Sequence, residues 1–127
     1  MHKSKLAGFI IDCQTTDLDR AAEFWGSALG MPVRALPPGE GGEIYKELQD
    51  SQHGLLIEVQ AVTHPSRVHL DIESDDVEAE VRRLEKLGAT RIEQIRTWWV
   101  MEAPTGQRFC VIRAASKDFD ETASQWD

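Results

Sequence analysis

Two amphipathic helices constrain this 127-residue chain more than any other feature, because each follows a short apolar strand and ends at a Leu-Gly pair. The spacing of apolar residues predicts helices over residues 17–29 and 76–87. A shift of 59 positions superposes the two halves, with apolar residues on apolar residues and Asp12 on Asp71. Self-similarity of this kind predicts an internal structural repeat.

The ends of both helices carry recognisable stop and start residues. Thr16 or Asp17 is the expected N-cap of the first helix, and Asp75 with Glu78 forms the expected capping box of the second. The glycine of each Leu-Gly pair is the expected stop, since glycine adopts the left-handed conformation without strain. The helix boundaries therefore follow from local chemistry.

Short runs of period two fill the rest of each half and predict strands. The order is β-α-β-β-β twice, with repeat one over about 6–61, repeat two over about 67–114 and a polar tail over 115–127. A chain of this length buries one sizeable core, so a single domain over 1–127 is expected. The predicted strands are 6–13, 32–36, 43–49, 55–61, 67–73, 90–94, 97–102 and 108–114.

The charge balance excludes several classes of partner. With 22 acidic and 14 basic residues, the net charge of -8 repels nucleic acid and anionic membrane surfaces. No apolar run reaches the roughly 20 residues of a membrane span, and the first residues lack an apolar signal core. A cytoplasmic location is therefore expected, with Cys13 and Cys110 both reduced. His2, His53 and His64 are expected in solvent.

A further set of motifs is found at Asp17–Trp25 with Leu29-Gly30, Val68–Asp71, Asp75–Val77 and Ala103–Gly106. These segments resemble the vicinal-oxygen-chelate superfamily, which includes glyoxalases, bleomycin-resistance proteins and extradiol dioxygenases. The resemblance implies an α+β fold in which two βαβββ repeats form a cupped, mostly antiparallel sheet with helices outside, and it implies a homodimer. The motif at Arg108–Val111, with Asp12-Cys13 and Val68–Ile72, is similar to the glyoxalase-like branch.

The resemblance also implies where a divalent ion would bind. In metal-using members, the first and last strands of each half supply one ligand each, and these positions fall here on Ile10, Glu58, His69 and Cys110. Imidazole and carboxylate suit zinc, nickel, iron or manganese, so His69 and Glu58 fit the role. Cys110 is either a thiolate ligand or a small core residue, and Ile10 cannot ligate a metal. The expected metal site is therefore degraded.

The remaining candidates are side chains expected to contact a small molecule. Asp12 and Asp71 place carboxylates at equivalent positions of the two repeats, and Glu58 interrupts an apolar run where a lone charge is costly. Because Trp98 and Trp99 are adjacent on a strand, only one can face the cup. An ordinary mixed core remains the alternative. The other expected contacts are Ile10, Tyr45, Leu56 and Met101.

Three hypotheses for function follow. The first is a small-molecule-binding protein with a degraded metal site, whose carboxylates and tryptophans suit a cationic or amphipathic compound. The alternative is a metal-dependent lyase, isomerase or dioxygenase that acts on a substrate with vicinal oxygens. The third is an accessory domain with a vestigial cup. Neither the ligand nor a catalytic residue can be assigned, because function depends on the site rather than the fold.

Overall fold

The computed structural model describes residues 1–127 and contains two compact units. The first unit is Gly8–Val68, and the second consists of Met1–Ala7 with His69–Asp127. The strand-helix-strand-strand-strand order occurs twice along the chain, so the repeat prediction is confirmed. The single domain over 1–127 stays a prediction. None of the helices combines the length and apolar character needed to span a membrane.

The first unit packs one helix against one face of a four-stranded ladder. The strand order is β2-β3-β4-β1, with β1 and β4 parallel and the other pairs antiparallel. The side chain of Asp17 accepts from the Arg20 N–H at the start of the helix, and Gly30 ends it with φ 70°. The elements are β1 (His2–Gln14, from Gly8 onward in this unit), α1 (Leu18–Leu29), β2 (Val33–Ala35), β3 (Tyr45–Gln49) and β4 (Leu56–Val62).

The second unit repeats this arrangement. Its ladder has the order β5-β8-β7-β6, with β5 and β8 parallel and the other pairs antiparallel. Helix α2 packs on one face of the ladder, where its Val81 and Leu84 form a buried cluster with Met101 and Val111 of the strands. The elements are β5 (Arg67–Ser74, from His69 onward in this unit), α2 (Val77–Lys86), β6 (Thr90–Ile95), β7 (Trp98–Glu102) and β8 (Arg108–Arg113).

The N-cap of α2 differs from the predicted capping box. Asp76 is the cap, and its side chain accepts from the Ala79 N–H. Asp75 instead accepts from the Lys3 N–H at 2.8 Å, which ties the start of β1 to the end of β5 within the second unit. The capping-box prediction was wrong because Asp75 and Asp76 are equally good local caps, and a distant backbone donor decides between them.

The tail forms structure that the sequence pattern did not predict. Helix α3 (Phe119–Thr122) and strand β9 (Ser124–Trp126) follow β8, and β9 pairs antiparallel with His2–Ser4. The indole N–H of Trp126 donates to the Ser4 hydroxyl at 2.9 Å. Because β9 supplies a partner for these first residues, β1 begins at His2 rather than near residue 6.

One histidine prediction was also wrong. His2 was expected in solvent, but it is buried on β1, and its Nε2 atom lies 2.8 Å from a carboxylate oxygen of Glu80. The chain end is therefore anchored by a buried polar contact.

Candidate functional site

Five of the candidate residues lie on one face of the first unit. Partners in a ladder share a face, and alternate residues of a strand point the same way. Ile10 pairs with Glu58, and both Asp12 and Tyr45 pair with Gln60. The opposite face carries the core under α1, which includes Ile11, Ile57 and Val59. The five residues are Ile10, Asp12, Tyr45, Leu56 and Glu58.

The second unit presents the equivalent face. Asp71 pairs with Cys110, which in turn pairs with Val100 on β7. His69 lies two residues before Asp71 and Trp98 two residues before Val100, so all five share this face.

The other tryptophan of the adjacent pair belongs to the core. Trp99 packs with Met101, Val111 and the apolar residues of α2, and Met101 is 0% exposed. These contacts give Trp99 and Met101 a structural role in the core under α2. Trp98 is therefore the tryptophan on the face opposite α2.

His69, Asp71 and Cys110 come together on that face. Each offers one ligand-type atom, and the three atoms lie within 4.8 Å of one another. His69 Nε2 is 3.6 Å from Asp71 Oδ1, and their side chains are 12% and 9% exposed. Cys110 is 9% exposed. An imidazole, a carboxylate and a thiol in such proximity can bind a polar ligand or a metal ion.

The two cysteines differ in their surroundings. Neither is in a disulfide. Burial raises the pKa of the Cys13 thiol, and a hydrogen bond with Trp25 opposes that rise only in part. Cys13 therefore stays a neutral thiol packed against the core under α1, whereas Cys110 is adjacent to an imidazole and a carboxylate.

The sequence matches a known family over most of its length. The family model described as a glyoxalase-like domain matches residues 8–112. The chain belongs to this family. The resemblance predicted from the helix and strand motifs is confirmed.

Solved structures share the fold of this glyoxalase-like protein. Methylmalonyl-CoA epimerase from Mycobacterium tuberculosis has a TM-score of 0.63 and 18% identity, covering 87% of this chain and 88% of that chain. A hypothetical protein from Bacillus halodurans C-125 has a TM-score of 0.61 and 14% identity, covering 88% and 96%. A mutant 4-hydroxymandelate synthase from Streptomyces coelicolor has a TM-score of 0.57 and 13% identity, covering 91% and 50%. These likenesses show the α+β fold alone. No curated protein matches.

The four metal positions expected in this glyoxalase-like chain do not form a complete donor set. Ile10 offers only hydrocarbon, and it pairs with Glu58 in the first unit. In the second unit, His69 and Cys110 lie close to a third possible ligand, Asp71, which is not one of the four positions. Nitrogen, oxygen and sulfur donors together suit zinc and related transition metals. The second unit therefore fits a divalent ion with three protein ligands.

The ladder registers refine the correspondence between the repeats. Asp12 pairs with Gln60, whereas Asp71 pairs with Cys110. Asp12 and Asp71 are equivalent in the two repeats, so their partners Gln60 and Cys110 are equivalent as well. The expected equivalence of Cys110 with Glu58 is therefore displaced by two residues along the last strand of the repeat. Because a shift of two keeps side chains on the same face, Glu58 and Cys110 still occupy equivalent faces.

Proposed function

We propose that this glyoxalase-like chain is a small-molecule-binding protein in which the family's four-position metal set is degraded. The supporting observation is the cluster of His69, Asp71 and Cys110, whose ligand-type atoms lie within 4.8 Å of one another. Burying ionisable groups is costly unless they interact with one another or with a ligand. Such clusters are concentrated at functional sites.

The chemistry of this face favours a small cationic or amphipathic compound. Asp71 supplies a carboxylate, and Trp98 presents an indole that can stack on a flat or cationic group. The net charge of -8 attracts cations at long range. Asp12 and Glu58 offer carboxylates on the equivalent face of the first unit.

A thermal-shift screen tests this proposal. We expect an aromatic amine or similar compound to raise the melting temperature, with about 2.7 kcal/mol of stabilisation at 100 times its Kd. The rise in melting temperature should be lost in Asp71→Asn and Trp98→Leu. It should be kept in the control Asp75→Asn, because Asp75 is an exposed residue directly after β5. A shift that persists in the first two variants would contradict this assignment of the site.

A second candidate is a metal-dependent lyase, isomerase or dioxygenase acting on a substrate with vicinal oxygens. The donor set of His69, Asp71 and Cys110 favours it, because a divalent ion held there would supply Lewis-acid polarisation of a substrate oxygen. Stoichiometric metal in protein purified without chelator, lost in His69→Ala, would support this candidate. Ligand binding that is insensitive to chelator would support the first.

We also propose that the protein forms a homodimer. Strands β2 and β6 are the edge strands of their units. The backbone groups along an edge strand favour pairing with another strand or burial under another segment. Phe24 is 62% exposed on α1, and Val33 on β2 is also exposed. Light scattering at tens of micromolar protein is expected to give twice the 14.3 kDa of one chain. A monomer at that concentration would contradict the proposal.

A further inference from the structure

We infer that His69, Asp71 and Cys110 form a transition-metal site contained entirely in the second unit, with zinc or another thiophilic ion as its ligand. The inference deepens the second, metal-dependent candidate function and rests on it only in placing a divalent ion at this cluster. It differs from the set implied by the resemblance, because Asp71 takes part and neither Ile10 nor Glu58 is required.

The local fold brings the three donors together. Asp71 and Cys110 are partners in the parallel pairing of β5 and β8, so their side chains are neighbours on one face. His69 reaches the same point because it precedes Asp71 by two residues on the strand. The cluster is thus a product of one ladder register and one i, i+2 spacing.

The distances suit a single ion. In a tetrahedral shell with bonds of about 2.0–2.3 Å, two ligand atoms of one zinc ion lie roughly 3.3–3.8 Å apart. The three donor atoms lie within 4.8 Å, and His69 Nε2 is 3.6 Å from Asp71 Oδ1. Small side-chain rotations would therefore bring all three atoms into bonding range.

The donor types select the ion. A thiolate favours zinc, cobalt and other thiophilic metals, whereas magnesium and calcium prefer sites made wholly of oxygen. Three protein ligands leave one position of a tetrahedral shell for water or a small molecule.

Metal titrations of the full chain test the inference. We expect one Zn²⁺ per chain, with no displacement by millimolar Mg²⁺. Asp71→Asn should weaken Zn²⁺ binding by about 100-fold or more, because loss of even an outer partner of a ligand costs about 10–100-fold. Glu58→Gln should bind within about threefold of the parent. In Co²⁺-loaded parent, a near-ultraviolet thiolate-to-cobalt band should appear, and it should vanish in Cys110→Ser but not in the matched control Cys13→Ser.

Two results would overturn the inference. One is a folded parent that binds no Zn²⁺ and shows no thiolate-to-cobalt band. The other is weakened binding in Glu58→Gln with unchanged binding in Asp71→Asn, which would point to the four-position set. The parent's cobalt spectrum decides the question even if a variant fails to fold. If a small molecule raises the melting temperature of the parent after chelator treatment, the proposed small-molecule binding is supported whatever the metal titrations show.

Discussion

Replacing Glu80 with alanine is expected to destabilise the protein by about 3 kcal/mol, because it breaks a buried charge network. Glu80 is 0% exposed on α2, and its two carboxylate oxygens each accept a 2.8 Å hydrogen bond from Arg83. On β1, the Nε2 atom of His2 lies 2.8 Å from a carboxylate oxygen of Glu80. The Cζ atom of Arg83 lies 3.8 Å from the centroid of the Trp126 ring. Removing one partner of a buried ion pair typically costs about 3–5 kcal/mol. The lower value is expected here because the Arg83 side chain is 25% exposed. Circular dichroism should show a melting temperature lower by roughly 10 °C.

The matched control is Glu78→Ala, on the same helix. Glu78 pairs with Arg82 and Arg91, but its side chain is 46% exposed, so the loss should stay below about 1 kcal/mol. Equal losses of stability in the two variants would show that the buried network contributes no more than the exposed ion pairs, which would contradict this prediction.

The pH dependence of stability provides a second measurement. Burial raises the pKa of Glu80, but hydrogen bonds from Arg83, His2 and Ser4 outweigh burial and hold it below the ordinary value of 4.5. A depressed pKa contributes stability that is present above the ordinary value and is lost as the pH falls through the folded-state value. Denaturant titrations from about pH 6 to pH 3 should therefore show a steeper fall for the parent than for Glu80→Gln.

Replacing Gly8 with alanine is expected to cost on the order of 4 kcal/mol or more, or to prevent folding. Gly8 pairs with Leu56 where β1 and β4 come together, and an added Cβ would lie 1.8 Å from the Leu56 carbonyl oxygen. No side chain can rotate to relieve this clash, because the obstacle is backbone. The strands must separate, which disturbs the register that pairs Ile10 with Glu58.

Gly54→Ala is the control for this substitution. Gly54 has φ 68°, and an added Cβ would meet nothing within 4 Å, so only left-handed strain of about 1–2 kcal/mol is expected. Urea denaturation of both variants separates the two costs. Near-parental stability in Gly8→Ala would show that β1 tolerates displacement from β4.

The regular elements of the two repeats were predictable because their signals are local. The prediction of a helix over 17–29 agrees with Leu18–Leu29, and the cap at Asp17 is confirmed. By contrast, β9 has too few residues for a period, and it exists because His2–Ser4 offers a partner strand. Elements whose stability comes from a distant partner leave no periodic signal.

The candidate site was predictable only in part, for a similar reason. His69 and Asp71 are two residues apart in a strand predicted over 67–73, and alternation puts such residues on one face. The register of β5 with β8 then decided that Asp71 is the residue beside Cys110. Likewise, adjacency showed that Trp98 and Trp99 face opposite ways, but packing under α2 decided which belongs to the core.

By itself, the sequence determined the two βαβββ repeats, the family and the residue types available for binding. Periodicity and capping chemistry depend on neighbours along the chain, so they can be read from one strand or helix at a time. The tertiary structure decided that His69, Asp71 and Cys110 form a cluster. It also decided that Glu80 contacts His2 near one chain end and that its partner Arg83 contacts Trp126 near the other. Those contacts depend on register and packing between segments far apart in sequence, and a single strand's pattern does not encode them.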